Sequence, residues 1–341
     1  MDFRFSAEAE AFRQEVRRFV KEEPPQSFPL QNPDDAFGIG GWSYEFSRRL
    51  GEKGWLSLDW PVEHGGKGRP MHEHLILNEE LAYARAPLEA HSFTDGMAET
   101  IIELGTPHLK KELLPRMADG TVTFWLAMSE PNAGSDLLSL QTSAVEDGDV
   151  FVVNGQKVWS SWAHLADYGF LYARTDPNVP RHKGISMFIL DKKLPGVTIR
   201  PLVNLAGYVL HNEVFLDNVR IPKDYLLGEK NKGFYQLLKG LESDRFWGRF
   251  VKPPYCKGLL EELVKWVNTH PGPGGKPMSE DPVIRNKLAD SAVEIEVCRA
   301  MFWHAAWMLE KHMNPIYESS AGKQLADELG QKLFNTGMQI Y

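Results

Sequence analysis

The sequence is poor in cysteine, in long apolar runs and in positive charge. Its 341 residues include only two cysteines, Cys256 and Cys298, so neither a disulfide framework nor a thiolate metal cluster can be assembled. The longest apolar runs fall far short of the ~18 residues that a membrane helix needs. Residues 1–5 lack the apolar stretch of a signal peptide. We therefore expect a soluble, cytoplasmic protein without a membrane span, in which both cysteines are buried thiols.

The charge balance excludes a further class of partner. Lys and Arg total 38 against 46 Asp and Glu, which gives a net charge of −8. Because it has no basic block, such a chain is a poor candidate for binding nucleic acid or anionic lipid through its overall field. Metal is not expected either, because the 11 histidines form no ligand pattern. His72 and His74, for example, are too close for a helical zinc pair at i, i+4.

What the sequence does contain is enough apolar material for a large core, 43% of its residues, and a length typical of about two or three domains. Residues 1–120 have helical spacing, and Ser6 followed by acidic residues is typical of a helix start. Residues 121–228 change to short runs of period two without intervening helices, which predicts a β-sandwich or barrel. Residues 229–341 return to helical spacing. The predicted fold class is therefore α+β multidomain: an N-terminal α-helical domain, a central β-domain and a C-terminal helical bundle.

Dipeptides typical of turns divide these regions further. Asp147-Gly148 and Asn154-Gly155 each predict a two-residue hairpin turn, because both central positions of such a turn take positive φ. Pro253-Pro254 predicts a helix break or kink. Pro282 begins a long helical pattern.

The densest local signal is the run from Ala127 to Asp136, which reads Ala-Met-Ser-Glu-Pro-Asn-Ala-Gly-Ser-Asp. Small and hydroxyl-bearing residues directly after a strand allow the backbone to approach a polar ligand closely and to offer it N–H and O–H donors. On composition alone, a plain loop is the alternative.

A second signal is Trp159-Ser160-Ser161-Trp162, directly after Asn154-Gly155. If the strand continues, Trp159 and Ser161 point to the same face. An indole plane and a hydroxyl would then be available to stack on, and hydrogen-bond to, a flat heteroaromatic cofactor. Buried core tryptophans in a β-domain are the alternative.

Four segments, taken together and in this order, resemble the acyl-CoA dehydrogenase family, flavoproteins that oxidise acyl-CoA thioesters to 2-enoyl-CoA. The segments are Trp60-Pro61 with Gly65-Gly66-Lys67-Gly68 and Glu79-Glu80, then residues 129–136, then residues 154–161, then residues 213–222 with 227–229 and 233–234. The resemblance implies FAD as cofactor, an acyl-CoA substrate and electron transfer to an electron-transfer flavoprotein. It also implies a homo- or hetero-oligomer and a helical–β–helical architecture.

The resemblance also implies flavin contacts, residue by residue. In the family, the segment that matches residues 126–135 contacts the flavin through backbone groups and hydroxyls. Trp159 matches the residue that lies against the isoalloxazine ring, and Ser161 stands where the family usually has a Thr whose hydroxyl bonds near N5. The implied cofactor-binding residues are Leu126, Met128, Ser129, Gly134, Ser135, Trp159, Ser160 and Ser161.

The catalytic base departs from the usual pattern of the family. Most members place a Glu after a Gly-Gly-x-Gly turn that would begin where this sequence ends, at Tyr341. A minority place it immediately before an Arg on the first helix of the last domain. The residue at that position is Asp244, which precedes Arg245 and is one methylene shorter than Glu; Glu242 is the runner-up. The implied substrate contacts are Ser135, Asp244 and Arg245, and a solvated acidic helix face is the alternative for both carboxylates.

A second departure concerns how FAD is held. Members usually carry Arg-x-x-Phe-Gly after the first two helices of the last domain, and that Arg reaches the FAD pyrophosphate of the neighbouring subunit. The equivalent residues 271–276 contain neither Arg nor Phe. Either FAD is held more weakly, or an unlike partner chain supplies the Arg, as in bacterial members that pair two different subunits. An oxygen-using oxidase or monooxygenase and a non-catalytic subunit are the alternative functions.

Overall fold

The computed structural model describes residues 5–32, 40–238, 250–272 and 274–341, except the side chains of residues 92 and 93. Helices occupy the first and last parts of the chain, and a single β-sheet lies between them. The order helical, β, helical is the one predicted from the sequence. None of the described helices is long and apolar enough to cross a membrane.

The described residues of the N-terminal part form five α-helices. The first begins as predicted, because the Ser6 hydroxyl accepts a hydrogen bond from the backbone N–H of Ala9 at 3.1 Å. Its buried residues Phe12 and Phe19 both contact Trp55 edge-on. These helices are α1 (Ala7–Glu22), α2 (Tyr44–Glu52), α3 (Met71–Tyr83), α4 (Glu89–Leu104) and α5 (Pro107–Ala118).

The central sheet has eight strands in the order β6-β7-β3-β2-β4-β5-β8, and β1 pairs in parallel with β4. They are β1 (Phe124–Ala127), β2 (Ser143–Asp147), β3 (Val150–Lys157), β4 (Tyr168–Arg174), β5 (Ile185–Asp191), β6 (Val197–Val203), β7 (Val209–Pro222) and β8 (Leu226–Leu227). Phe151 of β3 and Phe188 of β5 meet edge-on at 4.9 Å between ring centroids, although two strands separate β3 from β5. The sheet therefore curls around a core on one face, as a sandwich or barrel does.

One of the two predicted hairpin turns forms, one residue later than predicted, and the other is wrong. Asp147 ends β2 and pairs with Val150, so the central residues of the first turn are Gly148, at φ +59°, and Asp149. Asn154-Gly155 lies inside β3, where the pairing with β7 shifts register between Val153 and Gly155. A Cβ on Gly155 would lie 2.4 Å from Thr142 Oγ1. Glycine is needed here for a close approach within a bulged strand rather than for a turn.

The C-terminal part is helical again. Residues 233–238 are helical, followed by α6 (Lys252–Thr269), α7 (Pro282–Glu310) and α8 (Ile316–Ile340). Pro253 lies in the first turn of α6, where proline is tolerated, so the predicted break is the start of a helix. Cys256 and Cys298 are buried free thiols, as predicted, and burial raises their pKa values to about 11 and about 12.

Candidate functional site

The two segments singled out in the sequence lie side by side. The run after β1 and the end of β3 are joined by a backbone hydrogen bond from the N–H of Val158 to the carbonyl oxygen of Ser129 at 2.9 Å. Lys157, the last residue of β3, donates from Nζ to the carbonyl oxygen of Met128 at 3.0 Å. Leu126, Met128 and Ser129 are half-buried along this junction. The fold therefore brings together residues that are far apart in sequence.

A buried ion pair holds the junction. Lys157 Nζ lies 2.8 Å from Glu130 Oε1, with the two side chains 0% and 8% exposed. Glu130 also accepts hydrogen bonds from the backbone N–H groups of Gln141 and Thr142. Burial lowers the pKa of Lys157 to about 8, although Glu130 opposes the shift. Burial raises the pKa of Glu130, but Lys157 outweighs it and the net shift is downward. Glu130 is therefore a structural anion, and no sequence pattern predicted its pairing with Lys157.

The loop after Glu130 is exposed to solvent at Gly134 and Ser135. Glu130 and Ala133 exchange two backbone hydrogen bonds, which turn the chain so that Gly134 and Ser135 are exposed. A Cβ on Gly134 would meet no atom within 4 Å. Within the described parts of the chain, the backbone N–H groups of Gly134 and Ser135 have no hydrogen-bond partner. This loop offers donors and space to a ligand.

Trp159 and Ser161 do not lie on a strand, contrary to the prediction. β3 ends at Lys157, and Trp159 takes φ +60°, a left-handed conformation that costs about 1–2 kcal/mol for a residue with a Cβ. Backbone bonds to β7 hold the segment there: the N–H of Ser160 donates to the carbonyl oxygen of Asn212 at 3.1 Å, and that of Trp162 to Leu210 at 2.9 Å. The strand stops because these bonds turn the chain.

The two tryptophans of this segment have opposite surroundings. Trp162 is fully buried and packs 5.6 Å from Trp42 between ring centroids, so the interpretation as a core tryptophan holds for Trp162. Trp159 is 62% exposed. A large aromatic ring that a strained backbone holds in solvent is typical of a binding site.

Trp159 and Ser161 nevertheless share one neighbour, His211 of β7. The Ser161 hydroxyl lies 3.2 Å from His211 Nδ1, and the Trp159 ring meets the imidazole edge-on at 5.7 Å between centroids. His211 was not among the residues predicted from the sequence. A signal was present, because Leu210, Asn212 and Val214 alternate inward along β7 and leave His211 on the outer face.

The remaining predicted site residues are placed less favourably or are not described. Ser160 is buried, and its Oγ has no hydrogen-bond partner among the described residues. Glu242, Asp244 and Arg245 lie outside the described residues. Among those described, no group of three or more His, Cys, Asp or Glu residues has the arrangement of a metal site.

Comparison with known proteins decides the family. Profiles of the acyl-CoA dehydrogenase N-terminal, middle and C-terminal domains match residues 6–121, 126–219 and 231–341. Acyl-CoA dehydrogenase FadE26 of Mycobacterium tuberculosis is 32% identical over 341 residues, covering 98% of this chain and 83% of the relative. The chain belongs to the acyl-CoA dehydrogenase family.

Solved structures of acyl-CoA dehydrogenases share the fold. The structure described as "Tcur3481-Tcur3483 steroid ACAD" has a TM-score of 0.87 and 31% identity, covering 100% of this chain and 86% of that one. The ChsE4-ChsE5 complex from Mycobacterium tuberculosis has a TM-score of 0.86 and 31% identity, with the same coverage. The predicted family and fold class are thus confirmed. Enzymes of this family are FAD-dependent oxidoreductases, and acyl-CoA dehydrogenation is their general activity.

The residues present fit a flavin. The exposed Trp159 indole offers a flat face, the Ser161 hydroxyl contacts the same imidazole as that indole, and the Gly134 and Ser135 N–H groups have no partner among the described residues. A separate cavity of about 610 Å³ lies between α1, α3, α6 and α7. It is unsuited to an anionic cofactor, because Glu79 and Glu80 already pair with the arginines that line it.

Proposed function

We propose that this chain binds FAD with the isoalloxazine ring against Trp159, and that it catalyses the α,β-dehydrogenation of an acyl-CoA thioester to 2-enoyl-CoA. The observation that carries the proposal is the exposed Trp159, held at φ +60° beside the Ser161 hydroxyl and next to the loop after β1. The exposure carries the argument, because the fully buried Trp162 has the same left-handed backbone but turns its ring into the core. The family supplies the chemistry that such a site serves.

The chain's own groups would divide the binding between them. The proposed ring contacts are Trp159 by stacking and Ser161 by its hydroxyl. The end of β1 and the loop after it contribute backbone donors and hydroxyls, at Leu126, Met128, Ser129, Gly134 and Ser135. FAD, when bound, supplies the hydride acceptor. The Lys157–Glu130 pair contacts neither ligand in this scheme and keeps the two segments in register.

The proton is removed by a carboxylate in this proposal. An α-proton beside a thioester is weakly acidic, so the base must be partly desolvated to raise its pKa. We assign that role to Asp244, with Glu242 as runner-up, and assign substrate contacts to Arg245 and Ser135. The base assignment is tested separately from the flavin assignment.

An unlike partner subunit is part of the proposal. The backbone N–H of Gly272 is bonded to the Lys276 carbonyl at 2.7 Å, and residues 271–276 contain no arginine for a neighbouring pyrophosphate. Solved neighbours include two-chain assemblies, one of them named for steroids. We therefore propose a hetero-oligomer in the cytoplasm, steroid-derived acyl-CoA among its substrates and an electron-transfer flavoprotein as acceptor.

The same loop favours a second candidate function, that of a subunit which shares a flavin site without doing chemistry. Co-expression with candidate partner chains, followed by mass analysis of acyl-CoA turnover, separates the two. The proposed function predicts a product two hydrogens lighter, at a rate that Asp244→Asn lowers by about 10² or more. Unchanged turnover in that variant would remove Asp244 as base. Absence of product with bound FAD would favour the non-catalytic subunit.

A further inference from the structure

We propose that His211 is a positioning residue that sets the direction of the Ser161 hydroxyl toward the flavin. This inference rests on the proposed function, because it assigns a role around the same ring. In this proposal His211 does not contact the flavin ring directly. It acts through Ser161 and, secondarily, through Trp159.

The main chain fixes the relative position of the two side chains. Ser161 lies between two residues whose N–H groups are bonded to β7, Ser160 to Asn212 and Trp162 to Leu210. The Asn212 side chain adds a third bond, from Nδ2 to the Ser160 carbonyl at 2.9 Å. His211 lies between Leu210 and Asn212, so its imidazole is held opposite Ser161 from both sides. The 3.2 Å contact between Ser161 Oγ and His211 Nδ1 follows from this bracketing.

The contact matters because a serine hydroxyl has a single proton to donate. If His211 Nδ1 carries a proton, it donates to Ser161 Oγ, and the hydroxyl proton is free for an acceptor such as the N5 nitrogen of an oxidised flavin. If Nδ1 is unprotonated, the hydroxyl donates to it and can only accept on its other side. The imidazole therefore determines whether Ser161 offers a donor or an acceptor to the ring.

The same imidazole supports the exposed indole. Trp159 meets His211 edge-on, with 87° between the ring planes and 5.7 Å between the centroids, an arrangement favoured between aromatic rings. Removing the imidazole would leave Trp159 with a free edge on that side. Loss of His211 is thus expected to affect both proposed ring contacts.

Two amide substitutions separate positioning from mere packing. An asparagine amide falls near the place of Nδ1, whereas a glutamine amide falls near that of Nε2. Because the contact with Ser161 uses Nδ1, His211→Asn should keep the Ser161 hydroxyl in its wild-type direction and lose only the edge contact with Trp159, which His211→Gln loses as well. His211→Gln should therefore bind oxidised FAD roughly tenfold more weakly than His211→Asn. If reduced FAD is affected much less, the flavin midpoint potential rises by about 30 mV, because a tenfold ratio of affinities corresponds to that shift for a two-electron couple.

The experiment measures FAD affinity, the visible flavin spectrum and the midpoint potential of the wild type, His211→Asn and His211→Gln. Each of the three is measured with Ser161 intact and again with Ser161→Ala. Without the hydroxyl, the Asn and Gln variants should become indistinguishable. His270→Gln is the matched control, since His270 also packs on a tryptophan, Trp266 of α6, away from the proposed flavin site. Equal effects of Asn and Gln, or a difference between them that persists without the hydroxyl, would overturn the inference. Failure of the wild type to bind FAD would instead overturn the proposed function.

Discussion

Lys157 and Glu130 form a buried ion pair that joins the two segments of the proposed flavin site. The ammonium of Lys157 also binds the carbonyl oxygen of Met128, so one side chain fixes both the acidic residue and the backbone at the end of β1. Glu130 in turn accepts hydrogen bonds from the backbone N–H groups of Gln141 and Thr142, the two residues before β2. Replacing only one member of such a pair is strongly destabilising, because the other charge is left buried and unpaired.

We expect Lys157→Met to lower the free energy of unfolding by about 3–5 kcal/mol, because it leaves the Glu130 charge buried and unpaired. Urea denaturation measures the loss. Lys223→Met is the matched control, since Lys223 pairs with Glu146 at 3.5 Å with both side chains more than 40% exposed. The control should show little change, and an equally small change for Lys157→Met would contradict a role in stability.

Trp159 and Trp162 should respond oppositely to the same substitution. Both take φ close to +60°, but only Trp162 is buried. Trp159→Gly should change the free energy of unfolding by less than about 1 kcal/mol, because relief of strain offsets the added flexibility of glycine. It should nevertheless weaken FAD binding about tenfold through the lost stacking. Trp162→Gly should cost about 3–5 kcal/mol. Calorimetry measures the stability of the two variants, and FAD titration measures their affinity for the cofactor. Similar destabilisation at the two positions would refute the assignment of Trp159 to the site and Trp162 to the core.

Gly155 and Gly337 provide a test of the bulge in β3. A Cβ on Gly155 meets Thr142 Oγ1 at 2.4 Å, whereas one on Gly337 meets no atom within 4 Å. Gly155→Ala should therefore destabilise the protein by about 1–3 kcal/mol. Gly337→Ala, in helix α8, should stabilise it by up to about 1 kcal/mol. The midpoint temperatures of thermal unfolding measure both effects. They should shift in opposite directions, and shifts in the same direction would contradict the close approach at Gly155.

His74 predicts a pH-dependent contribution to stability. Burial alone would lower its pKa, but Asp59 at 3.1 Å and Asp95 at 3.4 Å outweigh burial and hold the pKa well above the ordinary value. A group with a raised folded-state pKa stabilises most below its unfolded pKa, about 6.5, and loses that contribution as pH rises through the folded pKa. The stability difference between wild type and His74→Gln should thus be larger at about pH 6 than at about pH 9. Urea titrations at both pH values measure it, and a difference that grows with pH would contradict the ion pair.

The sequence predicted those features of the fold that depend on residues close together along the chain. The Ser6 cap, the helical spacing and the Asp147-Gly148 turn each depend on residues within one or two turns of chain. Asn154-Gly155 carries the same local signal as Asp147-Gly148. Its conformation is decided by pairing with β7, some sixty residues away, which no local pattern contains.

The candidate site was predictable only in part for the same reason. The runs from Ala127 to Asp136 and from Trp159 to Trp162 stood out in the sequence, but the ion pair of Lys157 and Glu130 that joins them depends on tertiary packing. The left-handed Trp159 and the approach of His211 also arise from β7. A lysine at an inward position of β3 was the available signal for the ion pair.

Anaerobic mixing of the FAD-loaded protein with acyl-CoA thioesters, alone and with candidate partner chains, tests the central claim most directly. The visible flavin absorbance reports the result. The account predicts bleaching of the flavin by at least one acyl-CoA, together with loss of FAD affinity in Trp159→Gly. A protein that takes up no FAD with any partner chain, or whose bound FAD no acyl-CoA bleaches, would contradict it.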